Sequence, residues 1–442
     1  MKDSSGYETT GVDAAGLELL ERGIGELRCY VGDPVASAEQ AIAASPGCVM
    51  AHVLHAWLHL LGTEPQGIAV ARADLGRMAG LPANERERAH LHAIGLLVAG
   101  RWHAAARALE DLSIEFPRDT VALQAGHQLD FFIGDARMLR DRIARALPHW
   151  SASMPGWHAV LGMHAFGLEE CGDYAAAEAQ GRRAVELEPR DGWAQHAVAH
   201  VLEMQGRRRE GIAWMRGNEA GWVPESFFAV HNWWHLAVFH LGLDEADAAL
   251  ALFDGPIGGS GSEVVLDMVD GSALLWRLQL AGIDVGDRWQ ALADRWAPLA
   301  GAGNYAFNDM HAMMAFVGAG RRAAIEEVLA AQTEAMAADD DNAMFTRDVG
   351  AAATRAIRAI AEDDPARAVE LLRGVRNRAH RFGGSHAQRD LIDLSLIAAA
   401  SRAGQDRLAQ ALCAERLAAR PEPHVAWLAA IAAGRQDERL AA

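Results

Sequence analysis

The chain has 442 residues, of which 51% are hydrophobic and 23% charged, so it has ample apolar surface to bury and is not disordered. Its formal charge of −18 would repel a phosphate backbone, which excludes nucleic acid as a partner. Lysine occurs once, at Lys2, against forty arginines, so P-loop nucleotide hydrolysis, pyridoxal chemistry and Schiff-base aldol chemistry lack the lysine they need.

Ala, Leu, Arg and Glu dominate while Val, Ile, Tyr and Thr are sparse, which favours helix over strand and predicts an all-α chain. Residues 1–24 read as an N-terminal extension, without the basic and apolar regions of a leader. No stretch of 18 apolar residues follows, so no membrane association is expected. Cys29, Cys48, Cys171 and Cys413 are scattered without metal or disulfide spacing, which fits a reducing cytoplasm.

From residue 25 to 442 the pattern predicts a single helical-repeat solenoid. Gly100, Gly134, Gly172 and Gly206 each end a helical stretch, at steps of 34, 38 and 34 residues. That is the period of the tetratricopeptide unit, two antiparallel helices A and B with a tight turn between them. After Gly172, the residues Tyr174, Ala177, Ala184 and Pro189 fall where that motif wants an aromatic, two small packing residues and a closing proline. The fold class expected is thus all-α, a tetratricopeptide-like right-handed α-solenoid of antiparallel helix pairs. Residues 255–263 (GPIGGSGSE) and 337–342 (AADDDN) read as loops able to cover the concave face.

With Gly206 as a turn, helix A of its unit starts near Gly192, and His196, His200 and Glu203 share one stripe at i, i+4 and i+7. His231 and His235 repeat the His-x-x-x-His spacing 35 residues later. Polar residues continue at similar steps: Asp267 and Asp270, then Asn304, Asn308 and His311, then His386 and Asp390. Trp233, Trp234 and Phe307 sit among them as pocket walls, and the pocket-forming helices are expected over about residues 160–390. Most of the thirteen tryptophans are core. His52, His55, His59, His90, His158, His164, His240 and His424 read as ordinary hydrogen-bonded or solvent-facing residues. Asp270 and Arg277, seven apart on nearly one face, are expected to pair internally. Glu169, at the twelfth position of the preceding helix A, borders the cluster together with Glu170.

His-x-x-x-His on one helix lets two imidazoles reach one ion, so His196, His200, His231 and His235 are metal candidates and a divalent transition metal is compatible with them. Position 197 is Ala, so the motif is not HExxH and lacks that motif's general base. Without a metal the cluster reads as an acid–base site, because a histidine beside a carboxylate is poised for proton transfer near neutrality. No nucleophile elbow, dinucleotide fingerprint or catalytic-cysteine context is present, and nothing beyond a divalent transition metal is indicated as a cofactor.

The segments HAVAHVLEMQGRRREGIAWM, AVHNWWHLAVFHL, DMVDGSALLWRLQLAG, NDMHAMMAFVGAGR and GGSHAQRDL, in that order, resemble the tetratricopeptide repeat protein 38 family. The likeness runs from about Ala41 past His386. It implies a tetratricopeptide-like α-solenoid and no general activity, and it draws attention to His196, His200, Glu203, His231, His235, Asp309, His311, His386 and Asp390. Family members often carry an aromatic residue where this chain has His164.

The function expected is small-molecule chemistry of the hydrolysis, elimination or isomerisation type. His200, His231, His235, Asp309 and His311 would be catalytic. His196, Glu203, Trp233, Trp234, Asp267, Asn304, Asn308, His386 and Asp390 would bind substrate. The alternative is a non-catalytic scaffold that takes a peptide, a protein or a small ligand in its groove. A homo-oligomer is compatible with either.

Overall fold

A computed structural model describes residues 1–420 and 425–434, and His424 lies outside them. Among the described residues the regular structure is helical, with only two isolated β-bridges, Lys2 with Glu8 and Val31 with Ser226. The chain gathers into two compact units, one of residues 1–201 and 218–229, the other of residues 202–217 and 230–442.

The first unit holds α1 (Ala14–Cys29), α2 (Pro34–Ala44), α3 (Val49–Leu61), α4 (Pro65–Met78), α5 (Glu85–Val98), α6 (Trp102–Glu115), α7 (Thr120–Phe132), α8 (Ala136–Ala146), α9 (Trp157–Glu170) and α10 (Tyr174–Leu187). Helix α11 (Gly192–Met204) starts where the repeat register puts it and ends in the second unit. Helix α12 (Arg208–Gly217) belongs to the second unit and the short α13 (Glu219–Trp222) to the first. The second unit continues with α14 (Ala229–Leu241), α15 (Ala246–Leu252), α16 (Val265–Leu280), α17 (Arg288–Trp296), α18 (Ala306–Gly318), α19 (Arg322–Ala335), α20 (Asp341–Phe345), α21 (Ala351–Ala361), α22 (Pro365–Val375), α23 (His386–Arg402), α24 (Asp406–Ala419) and α25 (Ala426–Ala432).

Consecutive helices pack on one another as hairpins: α1 on α2, α3 on α4, α5 on α6 and α9 on α10 in the first unit. In the second unit α16 pairs with α17, α18 with α19, α21 with α22 and α23 with α24. The turns are too short for any but an antiparallel arrangement. At most of them the second residue past the first helix is left-handed, with φ of 73° at Gly100, 71° at Gly134, 82° at Gly172, 67° at Gly206 and 68° at Gly320. Glycine adopts that region without the cost a Cβ imposes. Thr63 and Asp363 take the same conformation at the same place in their hairpins, at φ of 63° and 60°, and Asp244 takes it one residue later, at 60°.

Small residues set the approach of one hairpin to the next. Ala177 and Ala184 are fully buried. A Cβ at Gly167 of α9 would come within 2.5 Å of the Leu139 and Arg140 main chain of α8, so nothing larger than glycine fits there without backbone movement. These are the features of a tetratricopeptide-like fold, and each unit is built from them.

Several expectations change. The stretch 1–24, read as an extension, contains most of α1: Asp13 caps it by accepting from the Gly16 amide at 2.8 Å, and Leu20 and Ile24 are buried. Ahead of it, Asp3 pairs with Arg86 at 2.7 Å, and the Thr10 amide donates to Glu87 at 2.8 Å. Within the stretch expected as one solenoid from residue 25, the helices gather into the two compact units given above. Neither loop is a loose cover. Phe253–Ile257 continues α15 as one π-helical turn, and Arg295 holds the residues beyond it through the Ser262 and Gly258 carbonyls at 3.0 and 3.2 Å. Within 337–342, Asp340 caps α20, and buried Asn342 accepts from the Ala306 amide at 2.9 Å while donating to the Gly303 carbonyl at 2.7 Å. Asn342 therefore fixes the start of α18.

No helix among the described residues is long and apolar enough to cross a membrane. All four cysteines are free thiols.

Candidate functional site

The two histidine pairs belong to different units, His196 and His200 to the first, His231 and His235 to the second. In the first unit, one helical turn brings the His196 and His200 rings edge to face at 4.3 Å. Phe166 of α9 touches both, at 5.1 and 5.2 Å. Next to Phe166 on the same helix are Glu169 and Glu170, and His200 Nδ1 lies 3.7 Å from Glu169 Oε2. One ligand atom each of Glu169, Glu170 and His200 lies within 4.8 Å of the others, and all three residues are buried. Two carboxylates and an imidazole so placed form a donor set for a divalent cation, whose charge would relieve two adjacent buried carboxylates.

In the second unit the expected site residues come from successive helices α14, α16 and α18. On α14, His231 and His235 are again one turn apart, with ring centroids at 4.8 Å, and Trp234 stacks on His231 at 5.4 Å and 14°. From α16, Asp270 accepts from His231 Nδ1 at 2.8 Å. That bond fixes the neutral ring as the Nδ1–H tautomer. Also on α16, Arg277 lies over the Trp234 ring, its Cζ 5.3 Å from the centroid. On α18, His311 Nδ1 donates to the Phe307 carbonyl at 2.8 Å. Burial, with Arg277 adding repulsion, pushes the His311 imidazole down to about 4, so it is neutral at physiological pH and Nε2 is an acceptor.

His–Asp pairs recur in this chain, and most are structural. His55 Nδ1 meets Asp74 at 2.6 Å, His90 Nε2 meets Asp119 at 3.1 Å, and His158 Nδ1 meets Asp191 at 2.7 Å. Asp119 and Asp191 also cap α7 and α11, accepting from the Ala122 and Ala194 amides at 3.0 and 2.8 Å. Asp270 has no such duty: it sits in the second turn of α16, buried, with His231 as its partner. Cys29 Sγ lies 4.0 Å from His158 Nε2, but burial pushes that thiol up to about 12, far from a nucleophile's range.

Other residues expected in the lining lie elsewhere. Asp309 and His311 are two positions apart, hence about 200° around the helix. Asp309 accordingly meets Gln332 of α19 inside its own hairpin, at 3.4 Å. Trp233 and His231 are separated in the same way, and Trp233 packs under Arg216 of α12, 5.3 Å from its Cζ. Asn304 precedes α18, so it does not continue the stripe of buried Asn308. Asp267, in the first turn of α16, accepts from Ser262 Oγ at 2.6 Å. Glu203 pairs with Arg420 at 3.1 Å, Arg420 reaches Asp390 at 3.4 Å, and Arg416 holds Asp390 at 2.9 Å. These arginines keep the Asp390 carboxyl well below the usual range in spite of its burial, so it is anionic and fully engaged. His386 opens α23, and its carbonyl accepts from Arg420 at 3.3 Å. Asp270 and Arg277, expected as an ion pair, are apart: Asp270 has His231, and Arg277 donates to the Ala387 and Ala273 carbonyls at 2.6 and 3.3 Å. The pairing of Asp270 with His231 and the arginines Arg416 and Arg420 were missed. The 39-residue step from His231 to Asp270, close to one repeat, was the available signal for the first.

Two open surface clefts of about 460 and 440 Å³ lie along α5–α6 and α6–α8, lined by none of these residues.

No family model matches the chain. Among solved structures, the P58(IPK) TPR domain is similar over 89% of this chain and 99% of its own, at 14% identity and a TM-score of 0.20. At that score the similarity carries no weight beyond the helix pairing already described. The class the helices define is an all-α protein of tetratricopeptide-like hairpins.

Proposed function

We propose that this chain is a non-catalytic binding protein for a small polar ligand, which it takes on the second unit's lining of His231, Trp234, His235, Asp270 and His311. One observation carries the reading: a part-buried His231–Asp270 pair at 2.8 Å that, unlike the pairs of Asp119 and Asp191, caps no helix. Tetratricopeptide-like hairpins suit binding, because successive A helices about 8–10 Å apart offer side chains to one occupant. Membership of the tetratricopeptide repeat protein 38 family belongs to the same proposal and rests on the ordered motifs. A cytoplasmic location is proposed from the free thiols.

A thermal-shift screen of neutral and charged polar metabolites tests the reading. Wild-type protein should gain several degrees with at least one compound. His231→Ala should lose that gain while its own melt stays within a few degrees of wild type. Loss of helical circular dichroism in the variant would make the pair structural and end the proposal.

A second reading, acid–base chemistry on the ligand, is favoured by the Asp270 carboxylate that orients the His231 ring through Nδ1. Its metal-assisted form draws on Glu169, Glu170 and His200. Protein purified without a histidine tag should carry a divalent metal near one equivalent by elemental analysis. A clean negative for Zn, Mn, Fe, Ni and Cu sinks the tightly bound transition-metal version.

A further inference from the structure

We propose that Arg277 anchors a carboxylate-binding subsite, so that the ligand of the second unit is a small organic carboxylate. This deepens the binding reading above and rests on it.

Arg277 is 5% exposed, and among the described residues no carboxylate lies within ion-pair reach of it. Its protein acceptors are two main-chain carbonyls, Ala387 at 2.6 Å and Ala273 at 3.3 Å. A guanidinium carries five N–H donors, so this leaves donors over. The acids nearest to it are already committed. Glu203 and Asp390 are held by Arg420 and Arg416, and Asp270 is held by His231. Arg416, Arg420 and Arg376 each have a carboxylate in ion-pair contact, and among the described residues Arg277 has none. A buried positive charge without a counter-charge is costly and marks a place where an anion belongs. Burial accordingly pushes Arg277 down to about 10, partly offset by Asp390 and Glu203.

The arrangement favours a carboxylate over other anions. The planar guanidinium fork matches two carboxylate oxygens. Trp234 beneath the guanidinium holds that plane, and the start of the 17-residue helix α23, to which Arg277 is tied through Ala387, adds the positive end of a helix dipole. His311 Nε2 would serve a remaining polar atom of such a ligand.

The test is a thermal-shift titration of the full chain with acetate, succinate and benzoate, each against its own amide and against inorganic phosphate, at matched ionic strength. At least one carboxylate should raise the melting temperature where its amide does not. Arg277→Gln, which keeps a donor for the Ala387 carbonyl, should weaken that carboxylate at least tenfold. Arg277→Lys, which keeps the charge and loses the fork, should also weaken it, and this variant decides if the first does not fold. Phosphate outperforming every carboxylate would overturn the assignment. So would amides binding as well as acids, or carboxylate affinity unchanged in both variants. A neutral ligand lost in His231→Ala but kept in Arg277→Gln would overturn the carboxylate subsite while leaving the binding reading standing.

Discussion

Replacing Arg142 by methionine should destabilise the protein by about 3–5 kcal/mol, because it strands a buried carboxylate. Arg142 is fully buried on α8 and grips Asp130 of α7 with two bonds, Nε to Oδ2 at 2.7 Å and a terminal nitrogen to Oδ1 at 2.9 Å. The same guanidinium reaches back to α6, donating to the Ala106 carbonyl at 3.1 Å and to Ser113 Oγ at 3.4 Å. Gly126 clears the space: a Cβ there would stand 2.6 Å from the guanidinium carbon. Three helices thus close around one charge, and the loss exceeds what packing alone would give. Urea denaturation should show a lower midpoint with an unchanged slope. The double variant Arg142→Met/Asp130→Leu should recover most of the loss, since an apolar pair replaces the ionic one. A single variant within about 1 kcal/mol of wild type would mean that Asp130 finds water or another donor.

Asp309→Asn should stabilise the protein at pH 8 by up to about 4 kcal/mol and change little at pH 3, given roughly 1.4 kcal/mol per pKa unit. Burial raises the Asp309 carboxyl from 3.8 to about 7, and the Gln332 amide offsets this only in part. The sign follows from proton binding. Between those two values the native state keeps a proton that the unfolded chain has released, so stability falls as pH rises toward 7 and is flat above it. Asparagine keeps an acceptor for Gln332 and carries no charge. Melting curves of wild type and variant at pH 3, 5 and 8 should therefore diverge as pH rises. A difference independent of pH would show that the carboxyl is not carried into the core in its charged form.

Much of this architecture was legible because the chain repeats itself. Gly100, Gly134, Gly172 and Gly206 stand at left-handed turns, and a residue that only glycine fills cheaply is visible in a sequence. Thr63, Asp244 and Asp363 hold the same conformation without glycine, so their hairpins left fainter marks. The start of α11 at Gly192 followed from the turn at Gly206 by counting. Trp233 and Asp309 stand two positions from His231 and His311, which puts them on the far faces of their helices. One-dimensional spacing favours local pairs such as Asp270 with Arg277, seven along its own helix, whereas the partner of Asp270 is His231 on another helix. The Asn342 side chain was invisible in a run of acidic residues, since its importance comes from the Ala306 amide and Gly303 carbonyl, distant in sequence.

Asp119 and Asp191 each do two jobs at once, starting a helix of one hairpin and holding a histidine of the hairpin before it. In a linear array, stability divides into what each repeat contributes alone and what each junction contributes. Here a carboxylate needed to start a repeat is also the junction's own bond, so the two contributions vanish together. Fraying from an end of the first unit should therefore stop being gradual at these junctions, and its central repeats should melt as a block.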